Sequence, residues 1–124
     1  EQLEGGDSRV VLHLPAVLAP TKVCVMPLVK KDGLPEKARE IMNELKFDFR
    51  CSYDEKDSIG TRYRRQDAVG TPFCVTVDHD TLQDGCVTIR HRDSMAQERV
   101  KIEELRGILA AEIDSKKLLK KILE

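Results

Sequence analysis

Lys22-Val-Cys-Val-Met-Pro27 is apolar on both of its alternating faces and is rich in β-branched residues. Such a stretch is typical of a central strand in a sheet that helices cover on each side. The apolar residues that come next recur at the spacing of one helical face: Leu34, Ala38, Ile41, Met42 and Leu45. This spacing, with Pro35 in the first turn, predicts a helix after the central strand.

A second predicted strand and a second predicted helix follow along the chain. The residues after the helix alternate between apolar and polar, which predicts a strand with one buried face at Phe47, Phe49, Cys51 and Tyr53. A second helix is predicted from Ile59 to Val69, because the Ser58 hydroxyl can cap its start and Gly70 can end it. This helix is mostly polar, and we expect its buried side to consist of Ile59, Tyr63, Ala68 and Val69.

The second half of the chain is richer in predicted strands. Thr71 to Asp78 alternates as a strand, and a turn at Gln83-Asp-Gly85 leads to an antiparallel partner from Cys86 to Arg92. Gln97 to Ile102 is a candidate for a last short strand, and the apolar residues from Leu105 to Ile113 predict a final helix.

The two ends of the chain differ in character. Arg9 to Pro15 is interpreted as a short edge strand or a lead-in segment, and Lys116 to Glu124 as a basic helical segment that Ser115 caps. Taken together, the segments predict an α/β fold, with a mixed sheet flanked by helices.

Composition excludes several classes of function. The 124 residues suit one domain, and 21 basic against 22 acidic side chains give no global positive field for nucleic acid. No apolar run approaches the roughly 20 residues of a membrane helix, and the acidic start lacks the pattern of a secretory leader. We therefore expect a cytoplasmic protein whose four cysteines are free thiols.

The motifs of the common active sites are also missing from the sequence. No glycine-rich phosphate loop follows the first strand, and neither the cysteines nor the three histidines have metal-ligand spacing. We therefore expect no catalytic residue, metal or cofactor in this chain.

One charged segment stands out. Asp54 to Asp67 contains four basic and four acidic residues, and Arg90-His-Arg92 follows on a predicted strand that can lie close to it. We expect this arrangement to gather guanidinium groups and carboxylates at one edge of the sheet. Arginine donates a planar fork of N–H groups to guanine, and carboxylates accept from the cytosine amino group, so a mixed cluster suits the reading of unpaired bases. The alternative is a solvated network of ion pairs with little function.

Several segments of the sequence resemble those of a known family: Lys22-Val-Cys-Val-Met-Pro-Leu28, Tyr53-Asp-Glu-Lys-Asp-Ser-Ile-Gly60, Arg62-Tyr-Arg-Arg-Gln-Asp67, Gly70-Thr-Pro-Phe73 and Val87-Thr-Ile-Arg90. From about Val10 to Ala111 the chain resembles the anticodon-binding domain of class IIa aminoacyl-tRNA synthetases. Arg90-His-Arg-Asp-Ser-Met95 is most similar to the glycyl members of the dimeric type.

The resemblance implies a mixed five-stranded sheet flanked by helices. Residues 1–20 would lead in from a preceding catalytic domain, and 21–124 would form the anticodon-binding domain with a C-terminal helix. The parent enzyme would use ATP and Mg²⁺ to ligate glycine to its tRNA and would be a homodimer through its catalytic domain. The fragment itself would be a non-catalytic monomer that binds the anticodon stem-loop.

The resemblance also implies candidate contacts with the anticodon. Lys56, before the Ser58-Ile-Gly60 turn, and Arg90 lie where relatives contact bases, and Arg64 and Arg92 are further candidates. The glycine anticodon has cytosines at its second and third positions, so a carboxylate acceptor makes physical sense, and Asp54 and Asp78 are the candidates for it.

Two competing functions stay open at this point. The same fold occurs in accessory subunits that do not charge tRNA and that serve as interaction or DNA-binding modules. A small signalling or redox α/β domain is the other possibility, but the chain lacks both a phosphate loop and a C-x-x-C pair.

Overall fold

The computed structural model describes residues 21–113 of the chain. The elements follow in the order β1 (Val23–Pro27), α1 (Leu34–Leu45), β2 (Cys51–Tyr53), α2 (Ile59–Val69), β3 (Phe73–Val77), α3 (Thr81–Asp84), β4 (Cys86–His91), β5 (Gln97–Lys101) and α4 (Ile102–Ile113). The strands form one mixed sheet in the order β2-β1-β3-β4-β5. The predicted five-stranded mixed sheet is therefore confirmed.

The sheet has a parallel part and an antiparallel part. Strand β1 pairs in parallel with β2 on one side and with β3 on the other. Strands β4 and β5 run antiparallel to their neighbours, so Phe73 of β3 lies opposite His91 of β4. The carboxyl ends of β1, β2 and β3 consequently share one edge of the sheet, and the end of β4 lies at the opposite edge.

Helices cover both faces of the sheet. Helices α1 and α4 pack their apolar stripes on one face, where the main core contains Val25, Val75, Ile41 and Leu109. Helix α2 covers the other face through a smaller cluster: Cys24, Met26 and Cys74, with Ile59 and Tyr63 packed against them. All five residues of β1 are buried, as its sequence predicts.

The second strand is shorter than predicted. Only Cys51–Tyr53 pairs with β1, whereas the Phe49 amide donates to the Leu45 carbonyl in the turn that ends α1. The side chain of Phe47 is 82% exposed. Alternation alone predicted a strand from Phe47, but the chain needs these residues to reverse direction after α1.

The buried side of α2 also differs from the prediction. Ser58 caps it through a hydrogen bond from the Thr61 amide, and Gly70 ends it in the left-handed conformation, as predicted. The expected burial of Ala68 and Val69 is wrong, because both are exposed. The helix instead buries polar side chains: Arg62, Gln66 and Asp67.

The remaining observations concern the turn between β3 and β4, the cysteines and membrane-spanning helices. The predicted turn between β3 and β4 contains a single helical turn, α3, which ends at Gly85 in the left-handed conformation. All four cysteines are free. No helix within residues 21–113 is long and apolar enough to cross a membrane. The predicted segments Arg9 to Pro15 and Lys116 to Glu124 lie outside the described residues.

Candidate nucleic-acid interface

The β2–α2 loop, residues 54–58, starts at the carboxyl end of β2 and leads into helix α2. The buried carboxylate of Asp54 accepts a hydrogen bond from the Lys56 backbone amide at 3.1 Å and from Arg65 at 2.6 Å. The second terminal nitrogen of Arg65 donates to Asp57. These two hydrogen bonds raise the pKa of Arg65. Arg65 therefore ties the two ends of the loop to the helix.

Two cations of this region are available to solvent. The side chains of Lys56 and Arg64 are both exposed. Among the residues that the structure describes, Arg64 makes one side-chain hydrogen bond, at 3.5 Å from Nε to the Gly60 carbonyl of its own helix. Within residues 21–113 neither side chain forms an ion pair with a carboxylate. Their charged ends can therefore meet an external anion without first breaking an internal pair.

A polar groove of about 720 Å³ runs beside the loop. It is lined by Arg39, Ser52, Tyr53, Asp54, Glu55, Lys56, Arg65 and Gln66. On one wall the Arg39 guanidinium lies 4.9 Å from the centre of the Tyr53 ring, and the Tyr53 hydroxyl donates to Glu55 at 2.6 Å. Burial and the neighbouring Glu55 raise the pKa of Tyr53. The groove thus offers both donors and acceptors.

Arg90 lies underneath α2 and not at the loop. Its side chain is 7% exposed, and its guanidinium donates two parallel hydrogen bonds to the buried Asp67, at 2.9 and 3.0 Å. It also stacks 4.7 Å from the centre of the Tyr63 ring, whose hydroxyl pairs with Thr76 at 2.7 Å. Burial lowers the pKa of Arg90, but the bonds to Asp67 raise it by more. The fork of Arg90 is occupied by a side chain of its own domain.

The remaining candidates are also held by internal partners. Arg92 is buried and donates to the Gly70 carbonyl and to Asp93, both at 2.8 Å, which secures the end of α2. Asp78 accepts a hydrogen bond from the amide of Thr81, the first residue of α3, at 3.0 Å, and it also accepts from Arg99 of β5 at 2.9 Å. Burial would raise the pKa of Asp78, but these hydrogen bonds outweigh it and lower the pKa.

The six candidates therefore fall into three places. Asp54, Lys56 and Asp78 follow the carboxyl ends of parallel strands, and Arg64 lies on the outer side of α2. Arg90 lies opposite Cys74, in the half of β4 nearest the other edge, and Arg92 directly follows β4 at that edge. The expected gathering of guanidinium groups and carboxylates at a single edge is wrong, because β4 runs antiparallel and carries Arg90 away from the loop. Whether any of the six contacts a base stays a prediction.

The ion-pair alternative holds for part of the segment. Arg65 pairs with Asp54 and Asp57, as that interpretation requires, whereas Arg64 forms no such pair within residues 21–113 and Arg62 is buried. Sequence patterns alone did not identify Arg62 and Asp67 as buried groups. A signal was present, because both fall on the helical stripe that starts at Ile59. No group of three residues of the types His, Cys, Asp and Glu in the described part of the chain could hold a metal ion.

Comparisons with known proteins agree with this architecture. The chain is 53% identical to the Glycine--tRNA ligase of Borrelia hermsii over 91% of its length, and 57% identical to that of Clostridium acetobutylicum over 91%. It spans about a quarter of each of these relatives, 25% and 24% of their length.

A solved structure and a family match extend the comparison. The RNA binding domain of Threonyl-tRNA synthetase from Cryptosporidium parvum superposes with a TM-score of 0.72 and 22% identity, covering 80% of this chain and 25% of that one. That similarity concerns the fold. Residues 22–112 match the family described as "Anticodon binding domain". Because this match covers most of the chain, the chain belongs to the anticodon binding domain family.

Proposed function

We propose that this chain is the anticodon-recognition part of a glycine–tRNA ligase. We further propose that the β2–α2 loop and the outer side of α2 face the anticodon. The relatives that are 53% and 57% identical to it over the aligned residues carry the name Glycine--tRNA ligase, and the chain corresponds to about a quarter of each. A domain without the motifs of the common active sites fits the binding role in such an enzyme.

The observation that carries the proposal is the exposure of Lys56, which lines the polar groove, and of Arg64 on helix α2. Free cations attract the phosphate backbone and position it, and donors and acceptors in a groove can distinguish the edges of bases. Unpaired bases are the expected target, because side chains cannot read the deep, narrow major groove of an RNA duplex. The anticodon loop supplies such bases.

A cytosine amino group needs an acceptor. Asp54 uses one hydrogen bond at each carboxylate oxygen, and an ionised carboxylate has about four lone-pair sites, so it can still accept from a base. Asp78 retains 23% exposure of its side chain and is the second candidate acceptor. We assign Arg90 and Arg92 to holding α2, since both are buried.

The proposal extends to the parent protein. Residues 1–20 would connect to a preceding catalytic domain, and 21–124 would form the anticodon-binding unit. The catalytic domain would bind ATP and Mg²⁺, ligate glycine to its tRNA in the cytoplasm and pair as a homodimer. The fragment alone would be monomeric.

Filter binding tests the proposal. The 124-residue chain is titrated with a glycine tRNA and with a copy whose two anticodon cytosines are changed. We expect the unmodified tRNA to bind more tightly, by about 1–3 kcal/mol for each cytosine that hydrogen-bonds to the protein. Affinity should fall with added salt. Equal affinity for both RNAs would refute anticodon recognition and would favour an accessory or DNA-binding module.

A further inference from the structure

Arg62 is a buried cation whose position the proposed contacts do not explain. Its side chain is 2% exposed, so it cannot touch RNA in this structure. One terminal nitrogen donates to the Pro27 carbonyl and, at 3.3 Å, to the Asp54 carbonyl. The other terminal nitrogen donates to the Leu28 carbonyl at 3.1 Å.

These three carbonyls belong to the ends of two neighbouring parallel strands. Pro27 ends β1 and Leu28 directly follows it, and Asp54 follows β2 and begins the β2–α2 loop. The Arg62 backbone amide donates to the Ser58 carbonyl at 3.0 Å in the first turn of α2. One residue therefore joins both strand ends to the two ends of the loop.

The electrostatics of this arrangement are unusual. A buried guanidinium normally has a carboxylate partner, because removing an unpaired charge from water is costly. Within residues 21–113 Arg62 forms no ion pair, and its Nε has no hydrogen-bond partner. Carbonyl dipoles at the strand ends take the place of a carboxylate. A lysine could not reproduce this arrangement, because its ammonium group is a compact point charge without the planar fork of N–H donors that a guanidinium has.

We propose that Arg62 is a positioning residue, which fixes the β2–α2 loop in the geometry that presents Lys56 and Arg64 to the anticodon. This inference rests on the proposed function. Without the clamp that Arg62 forms, the main remaining side-chain tie between loop and helix would be Arg65, and that tie is partly exposed. The loop would then sample several conformations and bind RNA at a higher cost in entropy.

The test compares Arg62→Lys and Arg62→Met in the 124-residue chain. The matched control is Leu109→Ala, which removes a fully buried side chain from α4 on the opposite face of the sheet. Unfolding midpoints in urea identify variants of similar stability. Arg62→Lys keeps the test informative if Arg62→Met fails to fold.

Two readouts separate a positioning role from a general loss of stability. The first is affinity for the glycine anticodon stem-loop and for its cytosine-altered copy. The second is hydrogen exchange of the Lys56 and Thr61 amides, which donate to Asp54 and Ser58 in the native loop. In Arg62→Met we expect affinity to fall about tenfold, with smaller effects in Arg62→Lys. The two amides should exchange at least about tenfold faster, which Leu109→Ala should not reproduce.

The outcomes are distinguishable. If Arg62→Met matches Leu109→Ala in exchange at these amides, the clamp does not order the loop and the inference is wrong. If exchange accelerates but affinity is unchanged, Arg62 orders the loop without positioning RNA contacts, which also overturns it. If the unmodified chain does not distinguish the two RNAs, the proposed function fails, and faster exchange would still establish the clamp.

Discussion

The buried ion pair between Arg90 and Asp67 allows a quantitative prediction about the free energy of unfolding. The two side chains are 7% and 1% exposed and share two hydrogen bonds of 2.9 and 3.0 Å. Removing one partner leaves the other charge buried and uncompensated, which costs about 3–5 kcal/mol. We therefore expect Arg90→Met and Asp67→Leu each to lower the free energy of unfolding by about that amount. Such a loss is a large part of the roughly 5–15 kcal/mol that holds a domain folded.

A double-mutant cycle in urea measures this coupling. The combined variant removes both charges at once, and we expect it to be more stable than the sum of the single losses implies, by at least about 2 kcal/mol. Arg99→Met is the control, because Arg99 pairs with Asp78 and Asp84 at the surface and its loss should cost about 1 kcal/mol or less. If either single variant loses less than about 1 kcal/mol of unfolding free energy, the two side chains are not a coupled buried pair. The same conclusion follows if the losses of the two single variants add up to that of the combined variant.

Three further predictions concern a helix, a carboxylate and two thiols. Gly107→Ala in α4 should raise the free energy of unfolding by about 0.5–1 kcal/mol in urea, because glycine is a poor helix residue. Within residues 21–113, no atom beyond the chain neighbours and the nearby backbone of α4 lies within 4 Å of the new methyl group. A lower free energy of unfolding would contradict this. The lowered pKa of Asp78 stabilises the fold above the unfolded pKa of about 3.9, and this contribution is lost as pH falls through the lower folded pKa. Asp78→Asn should therefore weaken the dependence of the urea midpoint on pH below about 4, and an unchanged dependence would exclude the mechanism. Burial raises the pKa of Cys24 to about 11 and also raises the pKa of Cys74. We therefore expect mass spectrometry to find neither thiol alkylated in native protein at about pH 8, whereas both should react in urea.

Local patterns were sufficient for most of the fold. The double-sided apolar run at β1 and the roughly 3.6-residue period of α1 are properties of consecutive residues, so they can be read from the sequence. The β2 segment was harder to predict, because alternation continues back to Phe47 although the chain turns there. Where a turn competes with a strand, spacing cannot decide between them.

The candidate site was less predictable for a different reason. The partner of Arg90 is Asp67, 23 positions earlier in sequence, and two of the three carbonyls that hold Arg62 lie 34 and 35 positions before it. Only the crossover from β2 through α2 to β3 brings these groups together. The sequence does not distinguish a buried, paired arginine from an exposed one, which explains why Arg90 and Arg64 were both predicted to contact the anticodon.

The most direct test of the central claim is a charge-matched comparison of two double variants. Lys56→Gln with Arg64→Gln removes the exposed cations of the proposed interface, and Lys46→Gln with Arg106→Gln removes two exposed cations from the end of α1 and from α4, on the other face. Dissociation constants for the glycine anticodon stem-loop are measured across a salt series.

We expect the Lys56 and Arg64 pair of substitutions to weaken binding at least about tenfold and to reduce the salt slope by about two. The control should retain the affinity of the unmodified chain within about twofold. Equal losses in both double variants would contradict a localised interface, because they would show that only total charge attracts the RNA.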